Sequence, residues 1–283
     1  MHPVIFDFGI INILGFEFHL AIYSFGLMLV IAFYSCYFFL NYELKLLGYE
    51  EKLSSDIIFW SALGGILGAK IYYLLENIDR VINSYDPFSM IFSGAGLVFL
   101  GGLVGSTICV SWILKKNKVP WLTFANIIGP LIFLGYAIGR VGCFLVGDDY
   151  GIPSDLPWAM SFPKGIPPTT TDSFSDLYPW IDISRYNQGL ITVHPTQLYE
   201  AIICFLLFFM MWKYRKHPLI MDKLFFLYLI LAGIERFFIE FLRTNQKYVF
   251  EIFSGAQVIS FGMILIGLYF IINPLTEDSS ETA

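Results

Sequence analysis

Three charged segments stand in an otherwise apolar chain: Gly139-Arg140-Val141-Gly142, His194-Pro195-Thr196-Gln197-Leu198-Tyr199-Glu200, and Arg236-Phe237-Phe238-Ile239-Glu240-Phe241-Leu242-Arg243. An ionisable group at bilayer depth costs about 3 kcal/mol even on a lenient insertion scale, so such groups are kept for chemistry or transport. On a helix of about 3.6 residues per turn, Arg236, Glu240 and Arg243 fall at i, i+4 and i+7 and share one face. Glu240 can pair with either arginine, which leaves one guanidinium for an anion or a charge-neutralised stripe between helices. Arg140 lies between two glycines that let a bulky group approach the backbone, and its planar fork of donors suits a phosphate. Arg140 with Arg236 or Arg243 would form a phosphate clamp within the apolar layer, where the available phosphate belongs to a phospholipid.

The second segment starts a helix, since Pro195 suits a first turn where its missing N–H costs little. His194 then sits at the water boundary with Gln197, and Glu200 lies deeper. Asp148, Asp149 and Tyr150 follow the first segment, as a general base or as a solvated turn.

These groups must be positioned by elements built against lipid. The 283 residues are 57% hydrophobic and 14% charged, with a mean hydropathy of +0.67, a balance unlike that of a soluble domain. A spanning helix needs about 20 mostly apolar residues. The pattern predicts an all-α polytopic membrane protein with about seven spans, near 18–40, 56–75, 96–114, 122–145, 195–212, 224–242 and 254–272. The chain reads as one integral membrane domain, 1–283, with an irregular packed head inserted at 147–193, between spans four and five.

With the N-terminus outside, the inward loops hold nine cations (Lys45, Lys52, Lys115, Lys116, Lys118, Lys213, Arg215, Lys216 and Lys223). The outward segments hold five, Arg80, Lys164, Arg185, Arg243 and Lys247. The bias predicts an outside N-terminus, a cytoplasmic C-terminus and an extracytoplasmic head. Residues 1–19 lack Lys, Arg and a small-residue cleavage pattern, so the first span is expected to stay.

Glycines at Gly64, Gly68, Gly101 and Gly105 have the spacing of closely packed transmembrane helices. The glycine-rich 92–97 stretch suggests a broken or re-entrant segment. Cys36, Cys109, Cys143 and Cys204 fall within apolar spans, without the spacing of a disulfide or metal site. No nucleotide loop or metal-ligand cluster occurs, so neither cofactor nor metal is expected. A net charge of −6 argues against nucleic acid.

Taken in order, the segments resemble the bacterial prolipoprotein diacylglyceryl transferase family. The resemblance rests on the His194–Glu200 heptapeptide and the Arg-Phe-x-x-Glu-Phe-x-Arg run. It is extended by Gly26-Leu27-Met28, Ser93-Gly94-Ala95-Gly96, Gly101-Gly102-Leu103-Val104-Gly105, the run from Gly139 to Asp148 with Tyr150-Gly151, Pro157-Trp158, Phe162-Pro163 and Gly255-Ala256-Gln257.

It implies a multi-pass protein of the bacterial inner membrane that moves the diacylglyceryl group of phosphatidylglycerol onto the lipobox cysteine thiol of a prolipoprotein, the first step of lipoprotein maturation. Arg140 and Arg236 would hold the leaving phosphate, with Arg243 and Glu240 orienting them. Gln197, Tyr199, Glu200, Gly151 and Cys143 would complete the substrate site. The chain departs from the family pattern at Leu100, which replaces a histidine, at Phe25, which replaces a tyrosine, and at Cys143 and Val146, which replace amides. Asp148 shortens a glutamate.

Because a free thiol is mostly protonated near neutrality, a base is required, and His194 and Asp148 are the candidates. Other readings of the same residues are a phospholipid-dependent transferase with another acceptor, a non-catalytic phospholipid-binding protein, or a transporter, although no repeated half of the kind transporters carry is visible. Oligomeric state is not legible.

Overall fold

The computed structural model describes residues 1–13, 16–82, 96 and 98–274, apart from the side chains of residues 10–19. The expected re-entrant stretch at 92–97 lies outside them, Gly96 excepted. The fold is mostly helical, and its described residues form two compact units, 1–36 with 126–283, and 37–125.

The first unit opens with a hairpin, β1 (Val4–Ile13) and β2 (Phe16–Tyr23). The pairing is antiparallel and shifts register between Asp7 and Ile10, where Gly9 has a φ of +76°. A bulge of this kind uses the positive φ that glycine adopts at no steric cost. The hairpin corrects the expected start of the first span at residue 18. Phe16-Glu17-Phe18-His19-Leu20 alternates with the period of a strand, and α1 runs over Ser24–Leu46. Ser24 ties this junction down, its N–H donating to Pro3 O at 2.9 Å.

In chain order the other α-helices of the described residues are α2 (Glu51–Glu76), α3 (Ile78–Ile82), α4 (Phe99–Lys116), α5 (Trp121–Val146), α6 (Thr171–Leu177), α7 (Thr196–Tyr214), α8 (Leu224–Ile239) and α9 (Gly255–Ile272). Six of them, α1, α2, α4, α5, α7 and α9, are long and apolar enough to cross a membrane. The expected span at 224–242 is shorter as a regular helix: α8 ends at Ile239 and continues as a 3-10 turn, Glu240–Leu242. At its other end the Phe225 N–H, which has no partner within its own helix, donates to buried Asn126 Oδ1 at 3.0 Å.

Helices α8 and α9 pack through small residues. A Cβ at Gly233 would meet Ser260 O and Ile264 Cγ1 at 2.7 Å each, and one at Gly267 would meet Phe226 O and Ile230 Cγ1 at 2.7 Å each. Ser254 caps α9 by accepting from Gln257 N–H, while the Gln257 side chain accepts from Ser254 N–H. This reciprocal arrangement satisfies two donors at the helix start.

Residues 147–193 pack around Tyr150, Phe162, Phe174, Ile191 and Val193. The Tyr150 ring stacks on Phe162 at 5.6 Å and on Phe174 at 5.8 Å, and its hydroxyl donates to Pro167 O. The aromatic and proline content of this stretch thus builds a small core of its own.

In the second unit, α2 and α4 approach through Gly64, Gly68, Gly101 and Gly105, as the spacing predicts. A Cβ at Gly68 would overlap Gly101 O and lie 2.9 Å from Gly105 Cα. Ser106 Oγ adds a bond to Ser61 O at 2.8 Å.

Candidate active site

Glu200, in the second turn of α7, is fully buried and gathers charge from the other two charged segments. Its Oε2 lies 2.9 Å from Arg140 Nε and 3.7 Å from Arg236 Nη1, and its Oε1 accepts from Arg243 Nη1 at 3.2 Å. The Tyr136 hydroxyl also donates to Glu200 Oε2. One helical turn before Arg140, Tyr136 sits where an i, i+4 pair meets. It accepts from Arg140 Nε and Nη2 at 3.0 and 2.8 Å.

Asp149 closes the other side, with Oδ2 accepting from Arg140 Nη1 at 2.7 Å and Oδ1 from Arg243 Nη2 at 2.9 Å. Burial works against its charge, but Arg243 and Arg140 together hold the Asp149 carboxyl below the usual carboxylate range. Arg236 Nη2 pairs with Glu240 Oε2 at 2.9 Å. Glu240 Oε1 accepts from Ser254 Oγ and Asn245 Nδ2, both at 2.7 Å, so the residue that caps α9 also orients the site.

The expected single face of Arg236, Glu240 and Arg243 is only partly formed. Arg236 and Glu240 keep the one-turn relation, but the 3-10 turn ends the helical register, and Arg243 reaches Glu200 from an extended backbone (φ −86°, ψ 160°). The excess positive charge of that run also disappears in three dimensions. Asp149 and Glu200 arrive from elsewhere, so three guanidiniums face three carboxylates among the described residues. Arg140 and Arg243 are almost fully enclosed, whereas the Arg236 side chain is 26% exposed, and its Nη1 has no hydrogen-bond partner among the described residues.

The backbone around the cluster is zipped together by the heptapeptide. Thr196 Oγ1 donates to Asp149 O at 3.0 Å and Gln197 Nε2 to Asp148 O at 2.5 Å. Gly151 N–H donates to His194 O, and Ile152 N–H to Leu242 O, both at 2.8 Å. Gly151 is needed sterically, because a Cβ there would overlap Leu242 O and lie 2.8 Å from Thr196 Cγ2.

The Asp148 carboxyl lies beside Cys143, whose sulfur is 3.9 Å from Arg140 Nη1. Its Oδ1 is buried without a hydrogen-bond partner. Burial, then the charge of Asp149, raises the Asp148 carboxyl to about 6. His194 stands apart from the cluster: its Nδ1 is 3.4 Å from the Tyr199 hydroxyl, which accepts from Trp158 Nε1 at 2.8 Å. Half-buried, the imidazole is held below its ordinary pKa by desolvation. Phe25 packs near Gly142, with its Cδ2 3.1 Å from where a Cβ would be, and Val146 ends α5. Leu100 lies in α4 of the other unit.

The residue pattern does not single out Tyr136, Ser254 or Asn245, it favours Asp148 over Asp149, and it carries Trp158 only through the Pro157-Trp158 match. The one-turn spacing of Tyr136 from Arg140 and the Ser254-x-x-Gln257 capping signature were signals in the sequence. Nothing local favours Asp149 instead.

The model of the prolipoprotein diacylglyceryl transferase family matches residues 13–273. Among curated proteins, a phosphatidylglycerol–prolipoprotein diacylglyceryl transferase of Clostridium tetani is 31% identical over 270 residues, covering 95% of this chain and 96% of the relative. One of the same name from Bordetella avium is 31% identical over 258 residues, covering 88% of this chain and 89% of the relative. Another, from Zymomonas mobilis, is 26% identical over 284 residues, covering 96% and 90%. With a buried cluster of arginines and carboxylates assembled from the very segments that carried the resemblance, and with matches that run nearly end to end, the chain belongs to the prolipoprotein diacylglyceryl transferase family.

Proposed function

We propose that the protein transfers the diacylglyceryl group of phosphatidylglycerol to the lipobox cysteine thiol in a prolipoprotein signal peptide, the first step of lipoprotein maturation. The thiol sulfur forms a bond to the glyceryl carbon, the bond from that carbon to the phosphate oxygen breaks, and glycerol phosphate leaves with the electron pair. Family membership supports the reaction class. Arg236 carries the reading at this site: of the three guanidiniums in the neutralised cluster it is the partly exposed one.

In this reading, Arg236 and Arg140 stabilise the charge that develops on the phosphate as it leaves. Arg243, Glu240 and Glu200 hold them in place, while Gln197 and Gly151 fix the backbone around Asp148. Asp148 takes the thiol proton. A raised carboxyl with an oxygen free of hydrogen bonds among the described residues is a better-matched base at neutral pH than an ordinary one, and burial together with Asp149 outweighs the lowering effect of Arg140. His194, steadied by Tyr199, stands at the water boundary as the second base candidate.

The protein works as a single integral domain of the bacterial inner membrane, with an outside N-terminus, a cytoplasmic C-terminus and the 147–193 head outside. Its loop charges support this orientation. The test is transfer from labelled phosphatidylglycerol to a synthetic lipobox peptide by purified protein, beside Arg140→Ala, Arg236→Ala and His194→Ala. Labelled peptide that disappears in both arginine variants is expected, and loss in His194→Ala as well would make His194 part of the machinery. Lipid binding without labelled peptide would turn the reading to another acceptor, consistent with the lost polar groups at Leu100, Phe25, Cys143 and Val146. Unchanged transfer in both arginine variants would overturn the clamp.

A further inference from the structure

Between Asn245 and Ser254, residues 248–253 form a turn that the site described above does not use. Val249 and Phe253 exchange backbone bonds at 2.9 and 3.0 Å, and Ile252 N–H donates to Val249 O at 3.2 Å. Within this turn Phe250 and Glu251 both have positive φ, +53° and +58°. Tight turns of this hand normally carry Asn, Asp or Gly, because a bulky side chain is disfavoured there. Phe250 nonetheless occupies the tip, 85% exposed, between exposed Tyr248 and Ile252. Val249 and Phe253 face inward, the Phe253 ring lying 6.0 Å from Phe237.

Three observations identify what covers this apolar tip. Ser254 caps α9, a helix able to cross a membrane, and Phe250 is four residues away, within about 14 Å at full extension. The headgroup layer is about 5–7 Å thick on each side of a bilayer, so the tip cannot be far from lipid. Tyr248 leans over the first turn of α9, its hydroxyl where a Cβ on Gly255 would stand. The cation Lys247, exposed beside the tip, lies 5.4 Å above the Phe241 ring. Aromatic rings and basic residues at the end of a span are what the lipid–water interface takes up, the cation favouring anionic headgroups.

We propose that this turn is a membrane anchor, with Tyr248, Phe250 and Ile252 seated in the lipid–water interface beside α9 and Lys247 at anionic headgroups. The backbone tolerates an unfavourable residue at position 250 because lipid receives its ring. This inference does not depend on the transferase reading.

The test places the photoreactive residue benzoylphenylalanine at Phe250 in the full chain, reconstituted in vesicles of phosphatidylglycerol and phosphatidylethanolamine with a lipobox peptide present. Mass spectrometry then identifies the adducts. Burial of one aromatic ring biases the tip towards lipid by about tenfold or more, so a lipid-adduct excess of that order is expected over the same label at Asn187, on the exposed head surface. Lipid adducts no more abundant than at Asn187, or adducts to a second copy or to the peptide in place of lipid, would overturn the proposal. As a companion, Phe250→Asn suits the backbone and removes the ring. With the label moved to Tyr248, this change is expected to cut lipid adducts severalfold without lowering the thermal midpoint; an unchanged yield would overturn the role of Phe250.

Discussion

Glu200 is the residue on which the arrangement turns, because its carboxylate lies among all three guanidiniums and the Tyr136 hydroxyl. Removing one partner of a buried ion pair costs about 3–5 kcal/mol, since the remaining charge is left uncompensated. Glu200→Gln is therefore expected to lower the thermal midpoint sharply. Arg236→Ala, at a quarter-exposed position, should abolish transfer with a much smaller shift; equal shifts in the two variants would contradict this division. Asp148 gives a pH-dependent expectation. Its carboxyl is raised from 3.8 to about 6, so the folded protein binds that proton more tightly than the unfolded chain. The resulting stability is fully present below about pH 4 and is lost as pH rises through about 6. Asp148→Asn should raise the thermal midpoint at pH 8 and leave it nearly unchanged at low pH. If Asp148 is the base, the variant also loses transfer, while the parent enzyme's rate falls below about pH 6.

At the scale of elements, apolar periodicity located each described spanning helix to within several residues, because lipid burial and backbone satisfaction are local demands. The two larger departures have physical causes. Period-two alternation at Phe16–Leu20 made a strand where apolar content alone suggested a helix, so α1 starts at Ser24. At the other departure, α8 gives way to a 3-10 turn at Glu240, whose side chain is held by Ser254 and Asn245 beyond the helix. Helix packing yields the next expectation. Gly68 leaves no room for a side chain against Gly101 and Gly105, and overpacking costs about 1–3 kcal/mol. Gly68→Leu should lower the thermal midpoint in detergent, whereas Gly262→Ala, where a Cβ meets nothing within 4 Å, should not. A Gly68→Leu protein as stable as the parent would show that α2 and α4 do not need this contact.

For the whole molecule, the sided distribution of Lys and Arg predicts that the 147–193 head faces the outside of the cytoplasmic membrane. An Asn187→Cys variant should react with a membrane-impermeant maleimide in intact spheroplasts; reaction only after lysis would invert the topology. The sequence by itself determined that the chain is lipid-embedded, where its helices run and which three segments carry the charge, since composition, periodicity and motif order are properties of neighbouring residues. It also carried the family resemblance, in the His194–Glu200 and Arg236–Arg243 runs. Only the tertiary structure decided the pairing. It made Glu200 the hub, chose Asp149 over Asp148 to bridge Arg140 and Arg243, and left Arg236 as the partly exposed cation. Those choices join residues up to 94 positions apart. A carboxylate's partner depends on which segments helix packing brings together, and no local pattern encodes that meeting.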